Sequence, residues 1–218
     1  MPVITISRQF GAAGLPIGKA LAERFKAQLL DRAILAQVAV RAGIPEDELE
    51  TYDERLPGFW QRVTAALASS SPEPQLTATV YADQIPSAPT QERLLALTRA
   101  VIEEAADTGN VVIVGRGGAF ILARRPGTLH VQLHASLDAR VRYLLSRVEE
   151  IPEDARPEEK SLRDLCRSVD ATRAEYLKRL FNVDWLDARN YDLAIDTGRF
   201  GVEKATDIIA RAARALAE

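Results

Sequence analysis

The chain has a single cysteine, Cys166, among its 218 residues. One cysteine cannot close an internal disulfide, so the core must hold the fold, and a reducing compartment, the cytoplasm, is expected. There are only two histidines, His130 and His134. They share one face of a predicted strand, but a metal centre needs further ligands and none lies nearby in sequence, so no metal site is expected of them. No apolar run reaches the roughly 18 residues of a membrane span. The first residues read as a strand without the basic flank and long apolar stretch of a secretory signal, so no membrane role is expected. Basic charge is not in excess: 28 Lys and Arg stand against 31 Asp and Glu, a net charge of −3. That balance argues against nucleic acid or an anionic membrane as partner.

What is present is ordinary for a globular protein. Hydrophobic residues make up 47% and charged residues 27% of the chain. The length fits one domain, with room for a small inserted cap. Residues 2–7 read as a buried strand. A helix continues from Ile17 to Phe25, with Pro16 in its first turn. Leu29 and Leu30 suggest a very short strand ending at Asp31. Helices follow over Ala33–Ala42 and from Pro45 onward. Residues 69–90 are a Ser- and Pro-rich connector. Residues 90–108 pattern as an amphipathic helix, and Val111–Val114 as a strand buried on both faces. Leu129–Leu133 is a further strand, and Ser136 caps a helix that runs to about Glu149. Residues 150–170 are strongly charged, and residues 171–181 are helical and basic. Tyr191–Ile195 and Val202–Leu216 read as the last strand and helix. Strands alternating with helices predict an α/β fold with a parallel central sheet. Ligands in such sheets sit at the carboxyl ends of the strands.

Two loops at those ends carry chemistry. The first runs Ser7-Arg8-Gln9-Phe10-Gly11-Ala12-Ala13-Gly14-Leu15-Pro16-Ile17-Gly18-Lys19. A strand, a small-residue loop and a helix start form an anion site, because unpaired N–H groups and the helix dipole face the ligand. Glycine at 11 and 14 would let a phosphate approach the backbone. The usual phosphate-loop pattern is incomplete: Ala13 stands five residues before Gly18, and Ala20 follows Lys19. A tight turn without ligand fits the same residues, and the pattern alone does not choose. The second loop is Gly115-Arg116-Gly117-Gly118, directly after the apolar strand. An arginine among glycines suits a carboxylate or phosphate through its planar fork. The alternative is a flexible turn whose arginine meets a structural carboxylate.

With these segments the chain resembles the cytidylate-kinase-like family of P-loop nucleoside monophosphate kinases. The resemblance rests on Ile4–Gly11, Leu30-Asp31-Arg32, Tyr52-Asp53-Glu54, Val112–Gly118, Arg173–Tyr176, Asp184-Trp185, Tyr191–Leu193 and Asp196-Thr197. It spans nearly the whole chain. It implies a three-layer α/β/α P-loop kinase fold over residues 1–218, with a core of 1–30, 90–150 and 180–218. A helical acceptor-side region would occupy 31–89, and a basic lid about 150–170, where Arg156, Lys160, Arg163 and Arg167 fall. The implied ligands are ATP with Mg2+, and a nucleotide acceptor such as CMP or dCMP. Oligomeric state is left open.

The departures from the well-studied cytidylate kinases matter. Gly14 takes the place of the phosphate-loop lysine, and Pro16 that of the magnesium-binding hydroxyl. Arg32, Ala36 and Gln37 replace residues that contact CMP, and Gly117 replaces an aspartate. Phosphoryl transfer needs alignment and charge neutralisation more than covalent help. The resemblance therefore implies that the amides of Gly11, Ala12, Ala13, Gly14 and Leu15 hold the donor phosphate. Arg8 stands in for the lysine, with Lys19 a weaker alternative. Arg116 with Gly117 grips the acceptor phosphate or bridges to the transferred group, next to Asp31 and Arg32, and Arg173 and Arg179 neutralise charge in the closed state. Asp31 and Asp196 are candidate carboxylates for metal-bound water or for ordering an arginine but read more simply as a cap or ion-pair partner, Trp60 and Trp185 as packing, and Cys166 as unreactive. Two further readings remain: a nucleotide-binding or regulatory protein without efficient turnover, and a kinase for another small acceptor.

Overall fold

The computed structural model describes residues 2–31, 90–148 and 157–216. The helices expected over 33–42 and after Pro45, the connector, Arg32 and Trp60 lie outside the described residues. Five strands form one sheet: β1 Val3–Arg8, β2 Gln28–Leu30, β3 Val111–Val114, β4 Thr128–His134 and β5 Leu193–Asp196. Their order is β2-β3-β1-β4-β5, and every pairing is parallel. The expected α/β fold with a parallel sheet is what the chain adopts. β1 lies centrally, between β3 and β4, and the chain crosses from one side of it to the other between those two strands. The crevice at its carboxyl end is therefore the position where such sheets bind ligands.

Six helices accompany the sheet among the described residues: α1 Gly14–Phe25, α2 Thr90–Thr108, α3 Gly118–Ile121, α4 Leu137–Val148, α5 Glu159–Phe181 and α6 Thr197–Ala215. The alternation along β1 and β3 decides the layers. Ile4, Ile6, Val112 and Val114 face α1 and α6, where Ile17, Leu21, Ala205 and Ile209 complete a buried cluster. Val3, Val111 and Ile113 face the other way, onto Leu97, Val101 and Ile102 of α2 and Ile121 of α3. Each fully buried aliphatic side chain contributes about 1.5–3 kcal/mol of burial free energy, so this double-sided core dominates the stability of the sheet.

Gly18 serves that core. A Cβ there would lie 2.6 Å from the Val114 methyl group, so its smallness lets α1 pack closely on β3. The likeness of Gly18-Lys19 to the end of a phosphate loop thus has a packing cause.

Two element boundaries correct the expectations. Residues 159–170 are not a separate charged segment. They form the first half of α5, and Leu162, Leu165, Cys166 and Val169 are buried along one face against α4 and Phe10. The last helix starts earlier than Val202, at Thr197, and bends at Gly201 with φ 68°. Ser136 does cap α4, its hydroxyl accepting from the Ala139 N–H at 3.3 Å.

Candidate functional site

The loop after β1 is pinned residue by residue. The Gln9 N–H donates to the Leu133 carbonyl at 3.0 Å, and its side-chain oxygen accepts from the Ala135 N–H at 3.1 Å. The Phe10 N–H donates to Asp170 Oδ1 at 2.8 Å, while the Phe10 carbonyl accepts from Arg140 Nη1 at 3.1 Å. Asp170 Oδ2 accepts from the same Arg140 nitrogen at 2.6 Å. The Arg8 carbonyl accepts from Arg173 Nη1 at 2.6 Å. The Phe10 ring lodges between α4 and α5.

Beyond Phe10 the chain turns left-handed twice, at Gly11 with φ 80° and at Ala13 with φ 55°, and α1 begins. The Ala12 N–H donates to the Gln9 carbonyl at 3.2 Å. Of the five amides expected to face a ligand, Ala12's is engaged within the loop. No described residue accepts from the N–H groups of Gly11, Ala13, Gly14 or Leu15, which lie at or beside the positive end of α1. Pro16 follows in the first turn, where its missing N–H costs no helical bond.

A Cβ on Gly11 would meet Arg140 Cβ at 3.0 Å and the Leu144 side chain at 3.2 Å, so its smallness makes room for α4. Gly14 makes room for Arg8: a Cβ there would stand 2.6 Å from Arg8 Cγ. Gly115 does the same for the other end of that side chain, where a Cβ would lie 2.9 Å from Arg8 Cζ. Arg8 therefore runs from the end of β1, across the start of α1, to the turn after β3. Two glycines distant in sequence are shaped around one arginine.

The turn after β3 is left-handed at three successive residues, with φ 84°, 53° and 70° at Gly115, Arg116 and Gly117. For Arg116 this conformation costs about 1–2 kcal/mol. It is held by the Gly115 N–H on the Ile6 carbonyl at 2.9 Å and the Gly118 N–H on the Gly115 carbonyl at 3.0 Å. Strain fixed in this way concentrates at functional sites. Arg116 is half-buried and engaged by a partner, as is Arg8. Gly117 packs under Phe181, since a Cβ there would lie 2.7 Å from its ring.

The other expected residues divide. Asp31 is buried at the end of β2, on the same sheet edge, and is engaged. Lys19 sits in the second turn of α1 with a partner of its own. Arg173 is buried, bonded to the loop backbone and stacked 5.5 Å over the Trp185 ring, in the position of a loop support. Arg179 is exposed on α5, away from its buried stripe. Asp196 caps α6, its Oδ1 accepting from the Gly198 N–H at 2.9 Å. The His130 Nδ1 lies 2.8 Å from Thr5 Oγ1, and burial holds its pKa below the ordinary histidine value against the opposing pull of Asp192. Among the described residues no three His, Cys, Asp or Glu side chains gather to hold a metal ion. Cys166 is buried, and burial pushes its thiol up to about 11. Arg140, Asp170 and Gln9 were not anticipated. The i, i+3 spacing of Asp170 and Arg173 was the one available signal, and it does not reveal a target 160 residues away.

The family model for the cytidylate kinase-like family matches residues 3–199. The chain belongs to that family. A solved protein of Eubacterium ventriosum superposes with a TM-score of 0.64 at 22% identity, over 98% of this chain and 99% of that one. A shikimate kinase from Bacteroides thetaiotaomicron gives a TM-score of 0.49 at 16% identity, covering 97% of each chain. Another, from Acinetobacter baumannii, gives 0.46 at 15%, over 99% of this chain and 94% of that one. A curated uronate isomerase of Corynebacterium glutamicum is 32% identical over 114 residues, 51% of this chain and 20% of that protein. The chain therefore spans about a fifth of that relative's length. Membership of a kinase-like family supports phosphoryl transfer as the class of chemistry. No helix among the described residues is long and apolar enough to cross a membrane.

Proposed function

We propose that this protein transfers the γ-phosphoryl group of ATP to a nucleoside monophosphate, with CMP or dCMP as the first candidates. The observation that carries the reading is the path of Arg8. Gly14 stands where the well-studied relatives have the phosphate-loop lysine, and the Arg8 stem occupies the space of its missing Cβ. A lysine at 14 and Arg8 in this conformation exclude one another. The arginine supplies the cation that the loop otherwise lacks, and delivers it between the amides at the start of α1 and the turn bearing Arg116.

In this reading the amides of Gly11, Ala13, Gly14 and Leu15 hold the donor's β-phosphate. Arg8 spans the bridging region, and Arg116 orients the acceptor phosphate. An acceptor oxygen attacks the γ-phosphorus, the bond to the β,γ-bridging oxygen breaks, and ADP leaves with that electron pair. The two arginines neutralise charge as it spreads over the transferring group. Magnesium would be held mainly by triphosphate oxygens and water, since Pro16 has no hydroxyl, with Asp31 the carboxylate at this sheet edge able to accept from such a water. Residues about 150–170 would close as a lid, and their described part is the start of α5. Closure would therefore move the helix that carries Asp170 and Arg173.

Pro16 in place of the hydroxyl favours a second reading, a nucleotide-binding protein without efficient turnover. One screen separates the two. ATP consumption is followed over nucleoside monophosphates and other small acceptors, sugar acids included because of the Corynebacterium relative, with MgATP binding measured in parallel. Turnover with CMP or dCMP supports the proposal. Binding without turnover supports the second reading. Turnover confined to another acceptor keeps the chemistry and replaces the substrate.

A further inference from the structure

We infer that Asp170 is the positioning residue of the phosphate loop, acting as the centre of a buried Arg140–Asp170–Arg173 clamp. This rests on the reading of residues 11–15 as the donor site. The three side chains are almost wholly buried, at 8%, 14% and 8% exposure. Asp170 Oδ2 accepts from Arg140 at 2.6 Å, and Oδ1 lies 3.5 Å from Arg173 Nη1. The carboxylate also takes the Phe10 N–H, and each arginine takes a loop carbonyl, Phe10 for Arg140 and Arg8 for Arg173. One ion cluster thus satisfies three backbone groups, the Arg8 carbonyl and the Phe10 N–H and carbonyl, where the chain leaves the sheet.

Chemistry and charge both fit the role. Two buried guanidinium groups without the carboxylate would repel one another and leave desolvated charge behind. With it, the cluster keeps one net positive charge directly behind a loop meant for phosphate. The clamp spans three elements, since Arg140 is on α4, Asp170 and Arg173 are on α5, and their targets follow β1. A shift of α5 against the sheet must then change the direction of the amides after Phe10. A helix that only needed an internal ion pair would have no cause to direct both arginines at main-chain carbonyls of another element.

The test uses the full chain with Asp170→Asn and Asp170→Ala. The asparagine keeps an acceptor for the Phe10 N–H but removes the charge between the arginines. Amide exchange and MgATP titration are measured on both variants and on the wild type. The clamp predicts faster exchange confined to residues 8–15 and to the ends of α4 and α5 that touch them. It also predicts MgATP affinity reduced about tenfold or more in Asp170→Asn, with Asp170→Ala weaker still. In turnover assays the nucleotide KM should rise more than kcat falls. A lowered melting temperature with unchanged affinity and evenly faster exchange would overturn it, because Asp170 would then be structural only. If the wild type bound no MgATP, the donor-site reading itself would fall. The exchange pattern would still decide the clamp: local acceleration supports it, and even acceleration overturns it. Should Asp170→Ala fail to fold, the asparagine variant carries the same measurements.

Discussion

The two turns at the centre of the sheet edge differ in what supports them from outside. In the turn after β3, three left-handed residues are closed by main-chain hydrogen bonds within the turn and to β1. The loop after β1 has main-chain bonds too, Gln9 to Leu133 and Ala12 to Gln9, but adds side chains far away in sequence, Arg140, Asp170 and Arg173. A local turn can hold a single arginine in a strained conformation. The proposed role of presenting several amides in one direction draws on supports from outside the loop. On the proposed function, this difference leads us to treat the first loop as the sensitive half of the site and the second as the rigid half.

The largest effect should come from overfilling the sensitive loop. Gly11→Val places a branched side chain at φ 80° against Arg140 and Leu144. Overpacking costs about 1–3 kcal/mol and the backbone conformation about 1–2 kcal/mol more. Denaturant unfolding should show a loss in that combined range, along with weaker nucleotide binding. An unchanged unfolding midpoint would mean that α4 does not pack on the loop as described.

Arg116→Lys tests the rigid half. Lysine tolerates the left-handed position no worse than arginine, so stability should hardly change. An ammonium cannot reproduce the bidentate fork. A charge-assisted bond to phosphate is worth about 1.5–3 kcal/mol, so kcat/KM should fall roughly tenfold to a hundredfold or more. Unfolding of Arg116→Ala, with normal turnover in the folded fraction, would reassign Arg116 to a structural ion pair.

Gly115→Ala joins the two halves. The new methyl group displaces the flexible end of Arg8, and the left-handed residue costs about 1 kcal/mol. Turnover should suffer more than stability. Equal turnover in the variant would show that the Arg8 guanidinium does not matter where it lies.

The smallest effect is a pH dependence away from both loops. Burial holds the His130 pKa below its unfolded value. The folded state therefore resists the proton, and stability falls as pH drops below about 6.5 and into the depressed range. The stability difference between wild type and His130→Gln should shift between pH 7.5 and 5.5. Parallel curves would show that the ring titrates normally.

Much of this was legible in the sequence, for identifiable reasons. Val111–Val114 had to be a doubly buried strand, because four successive apolar residues can satisfy both sheet faces. Glycines at 11, 14, 115 and 117 marked both turns. What each glycine makes room for was not legible, because the direction of an absent Cβ depends on backbone handedness and on the neighbouring helix. The start of α5 was hidden by charge. Lys160, Arg163, Asp164 and Arg167 surround the stripe of Leu162, Leu165, Cys166 and Val169, and obscure its helical spacing. Arg140 and Asp170 were illegible as loop supports because they reach main-chain atoms of Phe10, which no residue pattern announces.

The central claim is that Arg8 supplies the cation of a phosphate loop that has lost its lysine. It is tested most directly by the turnover of Arg8→Ala beside the double variant Arg8→Ala, Gly14→Lys. The Arg8 carbonyl survives both changes, so the Arg173 contact is kept, and Gly14 is helical, so lysine fits its backbone. The account predicts a fall in kcat/KM of about tenfold to a hundredfold or more for Arg8→Ala. It predicts partial recovery when lysine enters the vacated space. Wild-type turnover in Arg8→Ala, or a loss that lysine at position 14 leaves untouched, would contradict it.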